Sequence, residues 1–334
     1  MNLTLSPKAW RWLRRLGIPV FYLVSLVVCV RCTFPYGRVA TRIVATYNAA
    51  EAQKSGRRLE IGSMGGYWLF GVRAHDVRFI GPLPPPDDEG KIHPATVTQI
   101  DRLHLSVSPW RLMGAPLRVH FGATADEGSV HGSFVDGKDE RDVEVTLAQM
   151  GVQSIPLLSD LIGIPMSGLA VGEAKLEFPE KRLSLTEGNL EITIEDLEIG
   201  DGKTKIQGFV ALPKLRAGQL VLQADVQEGR VRIEKLAAKG PDLELEASGQ
   251  LRLRDKYEQS MVDLNLRYKF SEEYQTKNDI TKGFFGVLDF DPKVKRAKGE
   301  DGSYSWRVTG TFKKLSFQPG QRPATSRRSR AARP

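Results

Sequence analysis

Apolar and polar residues alternate with a period of two over most of the chain after residue 100. In an early example, Leu103, Leu105 and Val107 are separated by charged or polar residues. Side chains of a β-strand point to opposite faces in turn, so this period predicts strands with one buried face and one face in water. The protein is therefore expected to be mainly β.

Similar segments recur, with turn residues between them. Strands are predicted at residues 103–107, 117–121, 143–147, 169–178, 183–185, 190–199, 206–212, 220–226, 231–236, 243–247, 251–253, 262–270 and 304–312. Asp136-Gly137 and Asp201-Gly202 are typical of the turns that join antiparallel strands.

A short repeat runs through the last part of the chain. Segments beginning at Gly188, Gly218 and Gly249 each read glycine, amide residue, leucine, any residue, aliphatic residue. Their spacing of 30 and 31 residues is typical of stacked β units, each lying on the one before it.

The two faces of the predicted strands differ in polarity. Outward positions carry many charged side chains, whereas inward positions are mostly Leu, Ile and Val. The candidate core or groove residues are Leu103, Leu105, Val107, Leu190, Ile192, Ile194, Leu220, Leu222, Leu243, Leu245, Leu264 and Leu266. Little helix is predicted after residue 57 to cover them. Either two sheets pack as a sandwich, or one extended antiparallel sheet curls around an apolar groove, and the sequence leaves both open.

Residues 16–34 are predicted to form a transmembrane anchor. Residues 16–30 carry no charge, and a helix over them would rise about 22 Å, to which Phe34 adds apolar length while Arg31 snorkels outward. The anchor residues are Leu16, Ile18, Val20, Phe21, Leu23, Val24, Leu26, Val27, Val28 and Val30.

Charge around the anchor predicts its orientation. The preceding segment, residues 1–15, contains Lys8, Arg11, Arg14 and Arg15 and no acidic residue, which favours a cytoplasmic location. The bulk of the chain is then expected on the far side of the membrane, behind a single-pass anchor. A cleaved signal peptide is the alternative, but the residues before Arg31 lack the small-residue pattern of a cleavage site.

Residues 35–57 are predicted to form a connecting helix. Val39, Ile43, Tyr47 and Ala50 recur at helical spacing and make one apolar stripe. The glycine-rich residues 62–71 then predict a strand, a tight turn or bulge, and a second strand. They lack the Lys and Ser/Thr that a phosphate-binding loop needs.

A second helix is predicted at residues 154–163, where the two-residue period is interrupted. Its apolar residues are Leu157, Leu158, Leu161 and Ile162. This candidate contact helix is expected to pack across an open end of the sheet, or to contact a membrane or a partner. Residues 150–168 are also a candidate subdivision of the β-rich region 58–320.

The net charge of +8 comes from the two ends of the chain. Residues 1–30 contain four Lys or Arg and residues 321–334 contain five Arg, with no acidic residue in either. The remaining residues 31–320 carry a net charge of −1, which argues against a nucleic-acid-binding face. Residues 321–334 are interpreted as a disordered basic tail.

No pattern in the sequence indicates an enzyme, a metal site or a cofactor site. The cysteines, Cys29 and Cys32, lie in or beside the anchor, so no disulfide framework is expected in the β-rich region. The five histidines lack the spacing of a metal site. His75 and Asp76 with Ser63 could suggest a catalytic triad, but the surrounding residues lack the nucleophile motif, and a solvated strand end is favoured.

Several of these segments together resemble a known family. They are Phe34-Pro35-Tyr36 with the helix after it, the segment that begins Leu59-Glu60-Ile61, and the glycine-led strands from residues 188 to 253. In this combination the chain resembles the type II secretion system protein N family, and it is more distantly similar to AsmA-like envelope proteins. The likeness covers roughly residues 10–318.

The resemblance implies two functions and no catalytic residues. The first is an inner-membrane-anchored periplasmic accessory component of type II secretion, which would contact other secretion subunits. The more distant similarity implies a curled sheet with a hydrophobic groove that binds or transfers phospholipid in outer-membrane homeostasis. The two functions are compatible, because a protein with a groove can serve a secretion apparatus.

Overall fold

The computed structural model describes residues 7–51, 56–68, 70–81, 97–110, 114–125, 128–154, 165–200, 205–206, 210–211, 213–288 and 290–320. The chain divides into two compact units, Met1–Val107 and Ser108–Pro334. Over the described residues the chain as a whole is mainly antiparallel β, with few helices after residue 51, which confirms the predicted class. The candidate contact helix, the turn at residues 201–202 and the tail at 321–334 lie outside the described residues.

Unit 1 combines two helices with three strands. Its elements are α1 (Pro7–Thr33), α2 (Tyr36–Glu51), β1 (Arg58–Tyr67), β2 (Gly71–Ile80) and β3 (Val97–Val107). Strand β2 pairs antiparallel with both β1 and β3. The glycine-rich segment therefore forms a hairpin of two strands, as its composition predicts.

Helix α2 packs beside β1 and satisfies part of its edge. The Asn48 side chain accepts a hydrogen bond from the Leu59 N–H at 2.7 Å and donates one to the Leu59 carbonyl at 3.1 Å. Ala40 is buried on the inner side of the helix, whereas Ile43 and Ala50 are exposed. The predicted apolar stripe of α2 is therefore wrong in part, because contact with the strand edge selects a neighbouring face.

Helix α1 exposes most of the apolar side chains that the structure describes in it. Phe21 is 67% and Leu26 61% exposed, and Ile18, Val20, Val24, Val28 and Val30 are also exposed. Within the described residues, no single helix combines the length and apolar composition needed to cross a membrane. Gly17–Thr33 and Tyr36–Glu51 meet that criterion only as a pair, with a 52° bend between them. The anchor stays a prediction.

Unit 2 contains one open antiparallel sheet of eleven strands. The strands are β4 (Leu117–Ala125), β5 (Gly128–Asp136), β6 (Glu140–Gly151), β7 (Met166–Pro179), β8 (Glu187–Ile199), β11 (Leu215–Gln227), β12 (Arg230–Lys239), β13 (Leu243–Arg252), β14 (Met261–Phe270), β15 (Tyr304–Thr311) and β16 (Lys314–Pro319). Their spatial order follows this sequence order. Strands β9 (Lys205–Ile206) and β10 (Val210–Ala211) form a separate small ribbon. Residues 150–168 lie inside this unit, and β6 pairs with β7.

Three helices follow β14 that the alternation does not predict. They are α3 (Glu272–Gln275), α4 (Asp279–Leu288) and α5 (Pro292–Ala297). Their local signals are recognisable: the Ser271 hydroxyl accepts a hydrogen bond from the Tyr274 N–H, and the Asp291 carboxylate caps α5.

Two short strand predictions are wrong. Residues Leu183–Leu185 form a 3-10 turn, which tightens the connection into β8. The strand expected at 206–212 is reduced to the two short strands of the small ribbon. Segments 243–247 and 251–253 belong to the single strand β13, which ends at Arg252.

Candidate functional site

The register of unit 2 aligns apolar residues into four rows that cross the sheet. The first row contains Ala170, Ile194, Leu220, Ala238, Leu245, Tyr268 and Tyr304. The second contains Ala123, Val130, Leu147, Gly172, Ile192, Leu222, Leu236, Ala247, Leu266 and Trp306. We call the sheet face that carries these four rows the apolar face.

Two further rows complete the apolar face. The third contains Phe121, Gly132, Val145, Ala174, Leu190, Ala224, Ile233, Gly249, Leu264, Val308 and Phe317. The fourth contains Val119, Phe134, Val143, Leu176, Gly188, Val226, Val231, Leu251, Val262, Gly310 and Leu315. The second to fourth rows therefore contain only glycine and apolar side chains.

The apolar face is long compared with a lipid acyl chain. From β4 to β15 it crosses ten strands, which corresponds to about 43 Å at about 4.8 Å per strand. One leaflet of a bilayer is about 15 Å of hydrocarbon, half of the usual 30 Å core. The rows are thus long enough for two to three chain lengths end to end.

Many large side chains of the apolar face are only half-buried. Ala224, Ala247 and three valines are buried, the valines being Val226, Val262 and Val308. The larger side chains of Ile192, Leu222 and Leu266 keep part of their surface accessible. At the β16 end, Phe317 is 55% exposed. Accessible apolar surface spread over many strands is typical of an interaction site rather than of ordinary protein surface.

The opposite face of the same sheet is charged and internally paired. Arg307 donates two hydrogen bonds of 3.1 Å to Asp263, and these lower the pKa of that carboxyl. Gln223 donates to Glu191 at 2.6 Å on neighbouring strands. Because charged side chains occupy one face and apolar rows the other, each strand separates water from an apolar surface.

Helices α3 and α4 cover one end of the apolar face. The buried cluster there contains Leu197, Leu215, Ala217, Leu243, Tyr274 and Phe285. Four residues of the first row pack against it, namely Ile194, Leu220, Leu245 and Tyr268. No residue of the second to fourth rows belongs to this cluster of described residues, so the cover reaches only the first row.

Tyr274 fixes α3 to the end of the sheet. It is 2% exposed, and its hydroxyl donates a hydrogen bond of 2.8 Å to the Pro213 carbonyl. Burial raises the pKa of Tyr274 to about 12, with a smaller contribution from the negative charge of Asp242. The phenol is therefore held in its neutral, donating form.

Asp242 makes a second set of hydrogen bonds that holds the helical cover in place. Burial raises the pKa of its carboxyl, but hydrogen bonds from the Arg216 side chain and backbone outweigh that effect, so the net pKa is lowered. The Asp242 carbonyl also accepts a hydrogen bond from Ser271 N–H, directly before α3. These contacts join β11, the turn before β13 and the start of the helical cover.

Glycine in the rows lets neighbouring strands and rings approach closely. A Cβ on Gly132 would lie 2.3 Å from the Phe121 ring, so this ring occupies the space above the glycine. A Cβ on Gly172 would lie 2.2 Å from the Glu191 carbonyl oxygen. Substitution at either position would disturb the surface of the apolar face.

The structure brings together most of the candidate groove residues. Leu190, Ile192, Leu222, Leu264 and Leu266 lie in the second and third rows. The members at positions 194, 220, 243 and 245 lie at or beneath the helical cover.

The remaining candidates belong to unit 1. Leu103 and Leu105 lie opposite Ala74 and Val72 on β2, and Val107 ends β3. They therefore belong to an apolar surface of the first unit.

Aromatic residues at the β15 end of the apolar face were missed from the sequence. The Trp306 indole N–H donates to the Tyr268 hydroxyl at 3.2 Å, and the Tyr268 and Tyr304 rings stack at 5.4 Å. Burial raises the pKa of Tyr268. Their alternation with Arg267, Lys269 and Arg307 is the signal that could have identified them.

The catalytic arrangement considered for Ser63, His75 and Asp76 is not assembled. Ser63 lies opposite His75 across the hairpin, but the Asp76 carboxylate accepts hydrogen bonds from Arg78 and Gln99 instead. Over the described part of the chain, no group of three or more His, Cys, Asp or Glu residues could hold a metal ion.

Comparison with known proteins gives no relative for this chain. No protein-family model, no curated protein and no solved structure matches it.

Proposed function

We propose that this protein is a membrane-anchored lipid-binding protein, non-enzymatic, which accommodates phospholipid acyl chains on the apolar face of unit 2. The observation that supports this most directly is the uninterrupted second, third and fourth rows, which contain no polar side chain over ten strands. Burying acyl surface there is favourable by about 25 cal/mol per Å² of apolar area.

The charged opposite face supports the same proposal. A strand that is apolar on one side and charged on the other can hold hydrocarbon while remaining in water. The half-buried state of Leu222 and Leu266 leaves surface for such contact, whereas a filled core would bury these side chains fully.

Location is part of the proposal. Residues 16–34 would anchor the chain in the inner membrane, with the residues after the anchor on the periplasmic side. The exposed apolar side chains of α1 and the basic residues before it support this arrangement. The accessory role in type II secretion that the resemblance implies is the alternative, and contacts with other secretion subunits belong to that alternative.

The test uses substitutions at two adjacent positions of β11 whose side chains point to opposite faces of the sheet. Leu222→Asp places a charge in the second row, whereas Val221→Asp places the same charge on the polar face, opposite Thr193 and Ala237. The full chain is purified in mild detergent, and co-purifying phospholipid is measured by mass spectrometry. We expect bound lipid in the parent and in Val221→Asp, and a several-fold loss in Leu222→Asp.

Two outcomes would contradict the proposal. If no lipid co-purifies with the parent, or if both variants retain equal amounts of lipid, the apolar face is not the lipid-binding site. If, in addition, a strain lacking the chain loses secreted proteins while its envelope stays intact, the secretion role is favoured instead.

A further inference from the structure

The tip of the β1–β2 hairpin presents aromatic side chains to solvent. Trp68 is 75% exposed and Phe70 is 42% exposed, directly after Tyr67 and before Gly71. Trp68 has φ of +48°, a left-handed conformation that bulky residues rarely adopt. Strained backbone that displays a large apolar ring is a feature often retained for function.

The hairpin tip lies beside the end of α1. The Arg31 guanidinium, in the last turn of α1, donates a hydrogen bond of 3.0 Å to the Gly66 carbonyl. A Cβ on Gly66 would lie 2.7 Å from the Tyr36 hydroxyl, so glycine is needed for the junction of α1 and α2 to approach the strand. Trp68 is two residues further on, at most about 7 Å of extended chain.

The residues around this junction match the chemistry of a membrane interface. Phe34 is 43% exposed and packs 4.7 Å from the Tyr36 ring. The Arg73 guanidinium lies 4.4 Å over the Tyr67 ring. Tryptophan and tyrosine concentrate at the level of lipid headgroups, and arginine can interact there with both rings and phosphates.

We propose that the hairpin tip, Trp68 with Phe70, inserts into the headgroup–acyl boundary of the bilayer that holds α1. This inference rests on the proposed function, because it requires α1 to be embedded. The occupant is the phospholipid bilayer itself, since the tip is fixed to the end of the apolar helix by Arg31 and Tyr36. The insertion would hold Val72 and Leu105, which pair just beyond the tip, close to the membrane surface.

The test uses tryptophan emission from the full chain in phosphatidylcholine nanodiscs. The chain contains five tryptophans, Trp10, Trp12, Trp68, Trp110 and Trp306. Changing all except Trp68 to Phe leaves one reporter at the hairpin tip. Lipids brominated near the glycerol end of the acyl chain should quench about half of its emission, as expected for a ring about 5–10 Å into the boundary. Lipids brominated near the methyl end should quench it less.

A second protein that keeps only Trp306 separates this inference from the proposed function. Trp306 lies on the apolar face, so it reports lipid bound there. Resistance to alkaline carbonate extraction reports whether α1 is embedded.

Each pattern of quenching gives a distinct conclusion. Quenching of Trp68 by the shallow bromines supports insertion, whether or not Trp306 is quenched. An unquenched Trp68 in a protein that resists extraction overturns insertion, and quenching of Trp306 in the same nanodiscs would leave lipid binding standing. Extraction of the protein by carbonate overturns both the anchor and the insertion.

Discussion

Replacing Tyr274 by Phe tests how the helical cover is held on the sheet. The substitution keeps the ring, which lies 5.9 Å from Phe270 and 6.2 Å from Phe285, and removes only the hydroxyl. The Pro213 carbonyl then loses its buried partner. Leaving a buried acceptor unsatisfied costs about 1–3 kcal/mol, so the free energy of unfolding should fall by that amount at neutral pH.

Comparing the parent and this variant as a function of pH gives a second, independent estimate of how much the buried Tyr274 hydroxyl affects the free energy of unfolding. The folded-state pKa of Tyr274 is raised from 10 to about 12. Because the folded-state pKa is raised, the contribution of neutral Tyr274 to the free energy of unfolding is fully present below pH 10. It is lost as the pH rises towards 12. Two pKa units correspond to about 2.7 kcal/mol. The parent should therefore lose stability faster than Tyr274→Phe above pH 10, and the gap between them should close.

Urea unfolding measures both effects when it is followed by tryptophan emission in proteins that keep only Trp306, because Trp306 contacts Tyr268 next to this cluster. The series compares the parent and Tyr274→Phe from pH 7 to about 11.5, where only the difference between them is interpreted. A variant as stable as the parent at pH 7, or a stability gap that stays constant above pH 10, would refute the reasoning.

Two further substitutions test single contacts, one between α2 and β1 in unit 1 and one beside the helical cover in unit 2. Asn48→Ala removes both hydrogen bonds to the strand edge at Leu59 and should lower the stability of unit 1 by about 1–3 kcal/mol. Hydrogen exchange should become faster at the Leu59 amide but not in unit 2. An equal change in both units would contradict this. Asp242→Asn weakens the pairing with Arg216 and should also cost about 1–3 kcal/mol at pH 7. The pKa of Asp242 is lowered from 3.8, so its contribution to the free energy of unfolding is present above that pH and lost on acidification. The stability difference between parent and variant in urea titrations should therefore shrink as the pH falls to 3, and a difference that stays unchanged would contradict this.

The two-residue period predicted the strands well because it depends only on local geometry. Leu190, Ile192 and Ile194 share a face whatever they pair with. The register that aligns Leu222 with Leu236 and Ile192 depends on long-range pairing, and no local pattern contains it. The four rows therefore became visible only in the structure.

The helical cover was missed for a different reason. Helix α3 of the cover and the neighbouring α5 are four and six residues long, too short for an apolar period to develop. Helix α4 is ten residues long, and its apolar residues Phe284, Phe285 and Leu288 lie at helical spacing, a signal that was overlooked. The caps of α3 and α5, Ser271 and Asp291-Pro292, are clear local signals that the alternation of the flanking strands obscured. In α2, the predicted stripe included Ile43, which is exposed, whereas Asn48 contacts the strand edge and Ala40 is buried. The buried face of this helix is set by its packing against β1, which the local sequence does not contain.

Site-specific photocrosslinking in living cells tests the central claim most directly. A photoreactive phenylalanine replaces Leu264 in the third row or its neighbour Asn265, which points to the charged face opposite Arg307. After irradiation of cells labelled with radioactive phosphate, the purified protein is examined for covalently attached phospholipid. The lipid-binding account predicts labelled protein with the probe at Leu264 and none with the probe at Asn265. Absence of label at both positions, or equal label at both, would contradict it.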